Sequence, residues 1–344
     1  MRKYNVAVVG VTGAVGEEIL RVLEEVKFPV ANLVPLASAN SLGKSVELNG
    51  EDFDVIELTE TAFEENDVEI ALFSAGGSIS AKYAPFAVEA GAVVIDNTSH
   101  FRMELDIPLV VPEVNPEDID SWKVRGIIAN PNCSTIQMVQ ALKPLHTRYK
   151  IKRVDVSTYQ ATSGAGKKAM EELVSQMKDF FEFKLAEAEH KAFAHQIALN
   201  VIPQIDKFMD SDYTKEEEKM VYETQKILHE NIEVSATCVR VPVLRGHSEN
   251  VTVTFESQVN ADEAREILRN SPNIVVIDEP KESSYPMPIV ATDRNETFVG
   301  RIRRDLYRDN ILHLWIVADN LRVGAATNAV RIAQKWIERE EANA

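Results

Sequence analysis

Tyr4-Asn5-Val6-Ala7-Val8-Val9-Gly10-Val11-Thr12-Gly13-Ala14-Val15-Gly16 decides the fold. An apolar run ends in glycines spaced G-x-x-G-x-x-G, and an amphipathic stretch follows in which Ile19, Leu20, Leu23 and Val26 recur at helical spacing. Glycines let a backbone turn tightly and approach a pyrophosphate, and a helix start supplies N–H donors and a positive dipole end. The alternative, a merely tight turn, does not require a strand before it and a helix after it. The stretch is therefore read as a dinucleotide cradle formed by Gly10, Thr12, Gly13, Ala14, Val15 and Gly16.

The same rhythm continues outward. Residues 31–37, 68–74, 92–96, 109–111 and 126–129 are short apolar runs, as expected of parallel strands buried on both faces. Near residue 150 the pattern changes to longer, alternating runs at 151–160, 234–243, 250–259, 297–303 and 311–318. Helical segments are expected at about 164–195 and 214–230, and a long one from Val323 to Glu340. This predicts an α/β chain: an N-terminal Rossmann-like doubly wound parallel sheet, then an α+β catalytic and dimerisation domain with a large mixed sheet. The expected domains are residues 1–132 with a returning helix at about 320–344, and residues 133–319. There is no repeat and no low-complexity linker.

The second expected strand ends at Ala37-Ser38-Ala39-Asn40-Ser41-Leu42-Gly43-Lys44. NAD enzymes usually place a carboxylate there on the ribose hydroxyls. Its absence favours NADP, held by Ser38, Asn40 and Ser41, with NAD as a secondary cofactor; an ordinary polar loop would look much the same.

Length and charge narrow the functions. A chain of 344 residues suits two domains, and a formal charge of -17 repels nucleic acid and anionic membranes. No signal pattern opens the chain and no apolar run would span a bilayer, so a cytoplasmic protein is expected. Two cysteines are too few for a disulfide framework or a cysteine metal site, and no metal is expected.

Cys133 sits in Asn130-Pro131-Asn132-Cys133-Ser134-Thr135, just before Ile136, Val139, Leu142 and Leu145 share a helical face. A helix start favours the thiolate, the form that attacks a carbonyl. Its polar neighbours argue against a buried hydrophobe, whereas Cys238 lies in an alternating run and reads as structural. A nucleophile of this kind needs a proton shuttle. Of seven histidines, His247 stands out in a glycine-bearing loop, Arg245-Gly246-His247-Ser248. His190, His195 and His229 fall in charged helical stretches, and His313 in a strand.

These motifs occur in one order with Ser74-Ala75-Gly76-Gly77-Ser78, Asp96-Asn97-Thr98-Ser99-His100-Phe101-Arg102-Met103, Gln160-Ala161-Thr162-Ser163-Gly164-Ala165-Gly166 and Arg240-Val241-Pro242-Val243. Together they resemble the aspartate-semialdehyde dehydrogenase family from Val6 to about Trp336. The resemblance implies NADPH-dependent reductive dephosphorylation of 4-phospho-aspartate to aspartate 4-semialdehyde, reversible and phosphate-dependent, on the route to lysine, threonine, methionine and diaminopimelate. It implies Cys133 as acyl-thioester nucleophile, His247 as acid/base and Gln160 as the residue orienting substrate. It implies Arg240 on the substrate carboxylate, Glu216 on its ammonium, and Arg102 and Lys219 on phosphate. Glu217 and Glu218 leave the Glu216 register open. Ser163, Gly164 and Asn320 would contact the cofactor, and the chain would form a homodimer or a homotetramer. Many members carry Arg at the Asn40 position, so this chain departs from the pattern at the 2′-phosphate. Two other readings are N-acetyl-gamma-glutamyl-phosphate reductase, for which an ammonium-binding Glu216 has no use, and a catalytically silent dinucleotide-binding relative, which would not need both Cys133 and His247.

Overall fold

The computed structural model describes residues 2–343 and divides into two compact units, 2–132 with 325–343, and 133–324. The C-terminal stretch thus joins the first unit from Ala325, and residues 320–324 lie with the second.

The first unit holds β1 (Tyr4–Val9), α1 (Ala14–Glu25), β2 (Val30–Ala37), β3 (Ser45–Leu48), β4 (Glu51–Asp54), β5 (Ile56–Glu57), α2 (Ala62–Glu65), β6 (Ile70–Phe73), α3 (Gly77–Glu89), β7 (Val93–Asp96) and β8 (Ile127–Ala129). Six strands form a parallel sheet in the order β5-β2-β1-β6-β7-β8. Val6 to Val9 and all of β6 and β7 are buried, the pattern of strands covered on both faces. Ile19, Leu20 and Leu23 of α1 enter one core with Val330, Ala333 and Ile337 of the C-terminal helix, Thr327–Asn343. The order reverses between β1 and β6, which makes the carboxyl ends of these strands the switch point where open α/β sheets bind ligands. The run 109–111 makes only an isolated bridge, Leu109 with Ala129, rather than a strand. The β3–β4 hairpin turns Val46, Leu48 and Phe53 of one face to the core of this unit, but its strands are too short and too acidic to stand out in the sequence.

The second unit holds α4 (Cys133–Tyr149), β9 (Ile151–Gln160), α5 (Lys167–Phe181), α6 (Lys215–Leu228), β10 (Glu233–Arg240), β11 (His247–Phe255), α7 (Ala261–Arg269), β12 (Ile274–Val276), α8 (Pro288–Ala291), β13 (Thr297–Arg304) and β14 (Ile311–Ala318). Its sheet is mixed, in the order β10-β9-β11-β14-β13-β12, with β10–β9 and β12–β13 parallel and the other pairs antiparallel. Helix α4 lies on one face, beside α6 and α7. It is buried on every side from Ser134 to Leu142, so it is a core helix rather than an amphipathic one.

Three expectations need correction. The helix expected over 164–195 is α5 alone, because Gly166 opens it at φ 89° and Phe183 leaves it at φ 59°. His190 and His195 therefore lie in irregular backbone, and His229 caps α6 in a left-handed conformation. His247 is not in a loop: it is the first residue of β11, and the strand expected from 234 to 243 stops at Arg240.

Candidate active site

In the first unit the glycine loop is closed on itself. Gly10 has φ 85° and lies against Ala75, where a Cβ would be 3.0 Å from the Ala75 backbone. A Cβ at Gly16 would stand 2.3 Å from the Gly10 carbonyl oxygen, so α1 leaves the strand as tightly as its backbone allows. Gly13 precedes α1 and offers no side-chain cap, which leaves amide N–H groups of the first turn for an anion. The Thr12 hydroxyl is 3.3 Å from that of Ser41, bringing the end of β2 to the loop, and Ser38 and Asn40 beside it are exposed. These residues fit a dinucleotide: a backbone cradle for pyrophosphate and a polar, carboxylate-free edge for the ribose. Arg102 is also in this unit. Its Nε donates to the Asn130 carbonyl and its Nη2 to that of Asn97, both at 2.9 Å, so it is anchored to the backbone while largely buried.

In the second unit strand register does the assembling. Arg240 of β10 pairs with Gln160 of β9; His247 of β11 pairs with Ala318 of β14, and Ser248 with Tyr159. Arg240, Gln160, His247 and Ala318 thus form one row across the helix-covered face, all buried. Beyond them the chain between 161 and 164 is laced to that between 243 and 246: Thr162 N–H donates to the Val243 carbonyl and Ser163 N–H to that of Leu244. Asn320 Oδ1 accepts from both Gly246 N–H (2.9 Å) and the Ser163 hydroxyl (3.0 Å). Ser163 and Asn320, expected as cofactor contacts, are therefore partners of one another and of the segment that enters β11.

Each polar side chain in the row is held. Gln160 Nε2 donates to Glu216 Oε1 at 3.2 Å, and Lys219 Nζ donates to Glu216 Oε2 at 3.0 Å and to Asp206 at 3.2 Å. Arg240 Nη1 donates to the Ala161 carbonyl at 2.6 Å. Its guanidinium borders a cavity of about 250 Å³ whose lining includes Ala165, Phe193, Ile205 and Asp206. The three consecutive glutamates of α6 separate cleanly. Glu217 closes a capping box with Thr214 and accepts from Cys238 N–H, Glu218 takes the exposed Ser211 hydroxyl, and Glu216 alone meets Gln160.

His247 is fully buried. Its Nδ1 accepts the Ala161 N–H at 3.0 Å, so the neutral ring carries its proton on Nε2. Burial, aided by the charge of Arg240, pushes its pKa down to about 3. In this geometry the imidazole donates through Nε2; accepting a proton there requires the other tautomer and loss of the Ala161 contact. Gly164 packs over both side chains: a Cβ there would be 2.8 Å from Arg240 Nη1 and 3.2 Å from His247 Nε2.

Cys133 is half-buried and is the first residue of α4. Gly324 covers it, with room for no Cβ: one would lie 2.6 Å from that of Cys133. Burial lowers the pKa of the Arg240 guanidinium, and Glu216 and a Cys133 thiolate act against that shift. Cys238 is different, since burial pushes its thiol far up and its sulfur faces Met220.

Asp206, Gly324 and Asp319 escaped the sequence reading. Asp319 is buried and binds Arg245 Nε at 2.7 Å, Asp293 N–H at 2.7 Å and Leu321 N–H at 2.9 Å, fixing the segment before His247. None belongs to a motif; the only sequence signal was proximity of Asp319 to Asn320. Among the described residues no group of His, Cys, Asp and Glu could hold a metal ion, and no helix is long and apolar enough to cross a membrane.

Residues 5–122 match the family model described as semialdehyde dehydrogenase, NAD binding domain, and residues 142–323 the model described as semialdehyde dehydrogenase, dimerisation domain. The chain is 66% identical over 337 residues to an aspartate-semialdehyde dehydrogenase of Campylobacter jejuni, covering 98% of each chain. It is 56% identical to that of Aquifex aeolicus, covering 97% of this chain and 98% of the relative. Among solved structures, aspartate semialdehyde dehydrogenase II of Vibrio cholerae complexed with ASA superposes with a TM-score of 0.95 at 49% identity, over 98% of this chain and 99% of that one. The Candida albicans enzyme with NADP gives a TM-score of 0.73 at 26% identity, over 98% of each chain.

Proposed function

Because the chain belongs to the aspartate-semialdehyde dehydrogenase family, we propose that it runs the phosphorylating reaction with NADP and that the polar row of the second unit holds the substrate. The observation that supports this best is the row itself: a guanidinium, an amide and an imidazole, buried and adjacent by register, with a carboxylate and an ammonium behind the amide.

Arg240 binds the substrate α-carboxylate through its planar fork, and Glu216 takes the ammonium. Gln160, fixed by Glu216, orients the carbonyl toward Cys133. The Cys133 thiolate attacks the acyl carbon of 4-phospho-aspartate; the C–S bond forms, the C–O bond to phosphate breaks, and phosphate leaves to Arg102 and Lys219. NADPH, which the loop over residues 10–16 would hold, would supply the hydride that reduces the thioester carbon. His247 donates a hydrogen bond from Nε2 to the oxygen on which charge develops. Collapse of the tetrahedral adduct breaks the C–S bond, returns the electron pair to sulfur and releases the semialdehyde. In the reverse direction a base must accept the proton of the thiohemiacetal hydroxyl, and His247 does so only in its other tautomer. Ser38, Asn40 and Ser41 face the adenosine ribose. We further propose that the second unit pairs with a second copy, in keeping with the dimerisation model it matches, and that the protein works in the cytoplasm.

Initial rates with NADP and with NAD, each with and without phosphate, test the finer points. Oxidation of the semialdehyde that needs phosphate and favours NADP is expected; phosphate-independent turnover would contradict the phosphorylating mechanism. Cys133→Ala is expected to abolish turnover and leave NADP binding intact.

A further inference from the structure

Directly beneath the proposed substrate row, two residues further along each strand, lies a second row: Cys238 of β10, Thr158 of β9, Glu249 of β11 and Ile316 of β14. The row below that, Ala236, Val156, Val251 and Leu314, is entirely apolar. Glu249 is therefore the deepest carboxyl on this face, with no part of it exposed. The mechanism gives it nothing to do.

Its hydrogen bonding does not close if it is ionised. Neither carboxyl oxygen has a hydrogen-bond partner, and the Oε1 of Gln137, whose amide faces it from α4, lacks one as well. Gln137 Nε2 is turned toward the His247 carbonyl at 3.5 Å. A carboxylate offers only acceptors to an amide whose unsatisfied atom is also an acceptor. A protonated carboxyl supplies the one donor that is missing, and leaving it out would cost the desolvation of both groups. Among the described residues no titratable neighbour forms an ion pair with Glu249. Cys238 on β10 and Glu216 and Glu217 on α6 are acids, and Arg240 and His247 in the row above are engaged with Ala161.

We propose that Glu249 is a permanently neutral carboxylic acid that donates to Gln137 and thereby positions both Cys133 and His247. Gln137 follows Cys133 by four residues, one helical turn on the same side of α4. Held by Glu249 below and the His247 carbonyl beside it, its amide fixes the rotation of α4 about its own axis and the height of β11 against it. The direction of the sulfur and the placement of the imidazole are thus set by one buried contact. Burial pushes the Glu249 carboxyl well up and away from ionisation; the Gln137 amide beside it pulls the other way but does not offset burial.

The inference rests on reading Cys133 as the nucleophile, and the test separates the two. Wild type, Glu249→Gln, Glu249→Ala and Cys133→Ser are compared in kcat and KM from acid to alkaline pH, in thermal unfolding over the same range, and by infrared difference spectroscopy. Glu249→Ala should lose about tenfold to a hundredfold in kcat with little change in KM, and Glu249→Gln, neutral and of the same shape, should restore it. The wild-type-minus-Gln spectrum should hold the C=O band of a protonated carboxyl. Stability gives an independent sign. A carboxyl kept neutral in the folded state ionises in the unfolded chain above its ordinary value of 4.5, so wild type should lose Tm relative to Glu249→Gln as pH rises from there. A missing band, or a Tm difference of opposite slope, overturns the assignment even if Glu249→Ala fails to fold. Glu249→Gln as slow as Glu249→Ala, or Glu249→Ala as fast as wild type, overturns it as well. A fully active Cys133→Ser with the band in place defeats the nucleophile reading instead.

Discussion

In the first unit the groups proposed to hold the pyrophosphate are seven consecutive residues, Gly10 to Gly16, and they act through backbone. In the second, the groups proposed for the chemistry are side chains from four elements: register makes Gln160, Arg240 and His247 neighbours, and Cys133 comes from the start of α4. The first site leaves no room for a side chain at Gly10 or Gly16. The second depends on how α4, β9, β10 and β11 are set against one another. Shared contacts such as Asn320 with Gly246 and Ser163, and Asp319 with Arg245, carry that setting.

The comparison breaks most sharply at His247. His247→Asn is expected to lower kcat by about 10²–10⁴-fold, the usual worth of a positioned proton-transfer group; an unchanged kcat would remove the imidazole from the chemistry. Next comes Gly164→Ala, whose new Cβ meets Arg240 Nη1 at 2.8 Å. Displacing the guanidinium by part of an ångström should cost about a hundredfold in kcat/KM, with any weakening of cofactor binding through Gly164, itself an expected cofactor contact, the smaller effect. A loss confined to cofactor binding would mean that Gly164 serves the cofactor and not the guanidinium.

A third expectation concerns pH. His247 stays neutral in the folded protein down to about 3, whereas in the unfolded chain it protonates below 6.5. Its pKa is lowered by folding, so wild type should lose stability relative to His247→Asn as pH falls through that window, by up to about 1.4 kcal/mol per pH unit. Unfolding of the two proteins at several pH values checks it; parallel curves would refute the buried neutral ring. The smallest effect is expected at the exposed edge of the cradle. Asn40→Arg should raise the preference for NADP over NAD by about tenfold through one charge-assisted contact to phosphate, measured as the ratio of kcat/KM for the two cofactors. No change would place the 2′-phosphate elsewhere.

How much of this was legible follows the same division. Gly10 to Gly16 could be read outright, because strand, glycines and helix are contiguous and each has a local physical reason. Cys133 could be read at a helix start, because Ile136, Val139 and Leu142 announce the helix. His247 could be singled out, but as a loop residue, since Gly246 signals a break and nothing local reveals that β11 begins at once. Arg240, Gln160 and Glu216 acquired roles only through family resemblance, because register is a property of strand pairs and no single strand encodes it. Which of three glutamates faces Gln160 was settled by a capping box that commits Glu217 to Thr214. Glu249 was invisible: it falls just before the expected strand 250–259, in the stretch read as a loop, where a carboxyl reads as solvent-facing until its row is known.

The account depends on a covalent bond to Cys133. Incubating the enzyme with 4-phospho-aspartate in the absence of reduced cofactor, quenching, and mapping the modified peptide by mass spectrometry tests it most directly. One aspartyl group on the peptide carrying Cys133, released by hydroxylamine and absent from Cys133→Ser, is expected. Rapid turnover with no such adduct, or an adduct on another side chain, would contradict it.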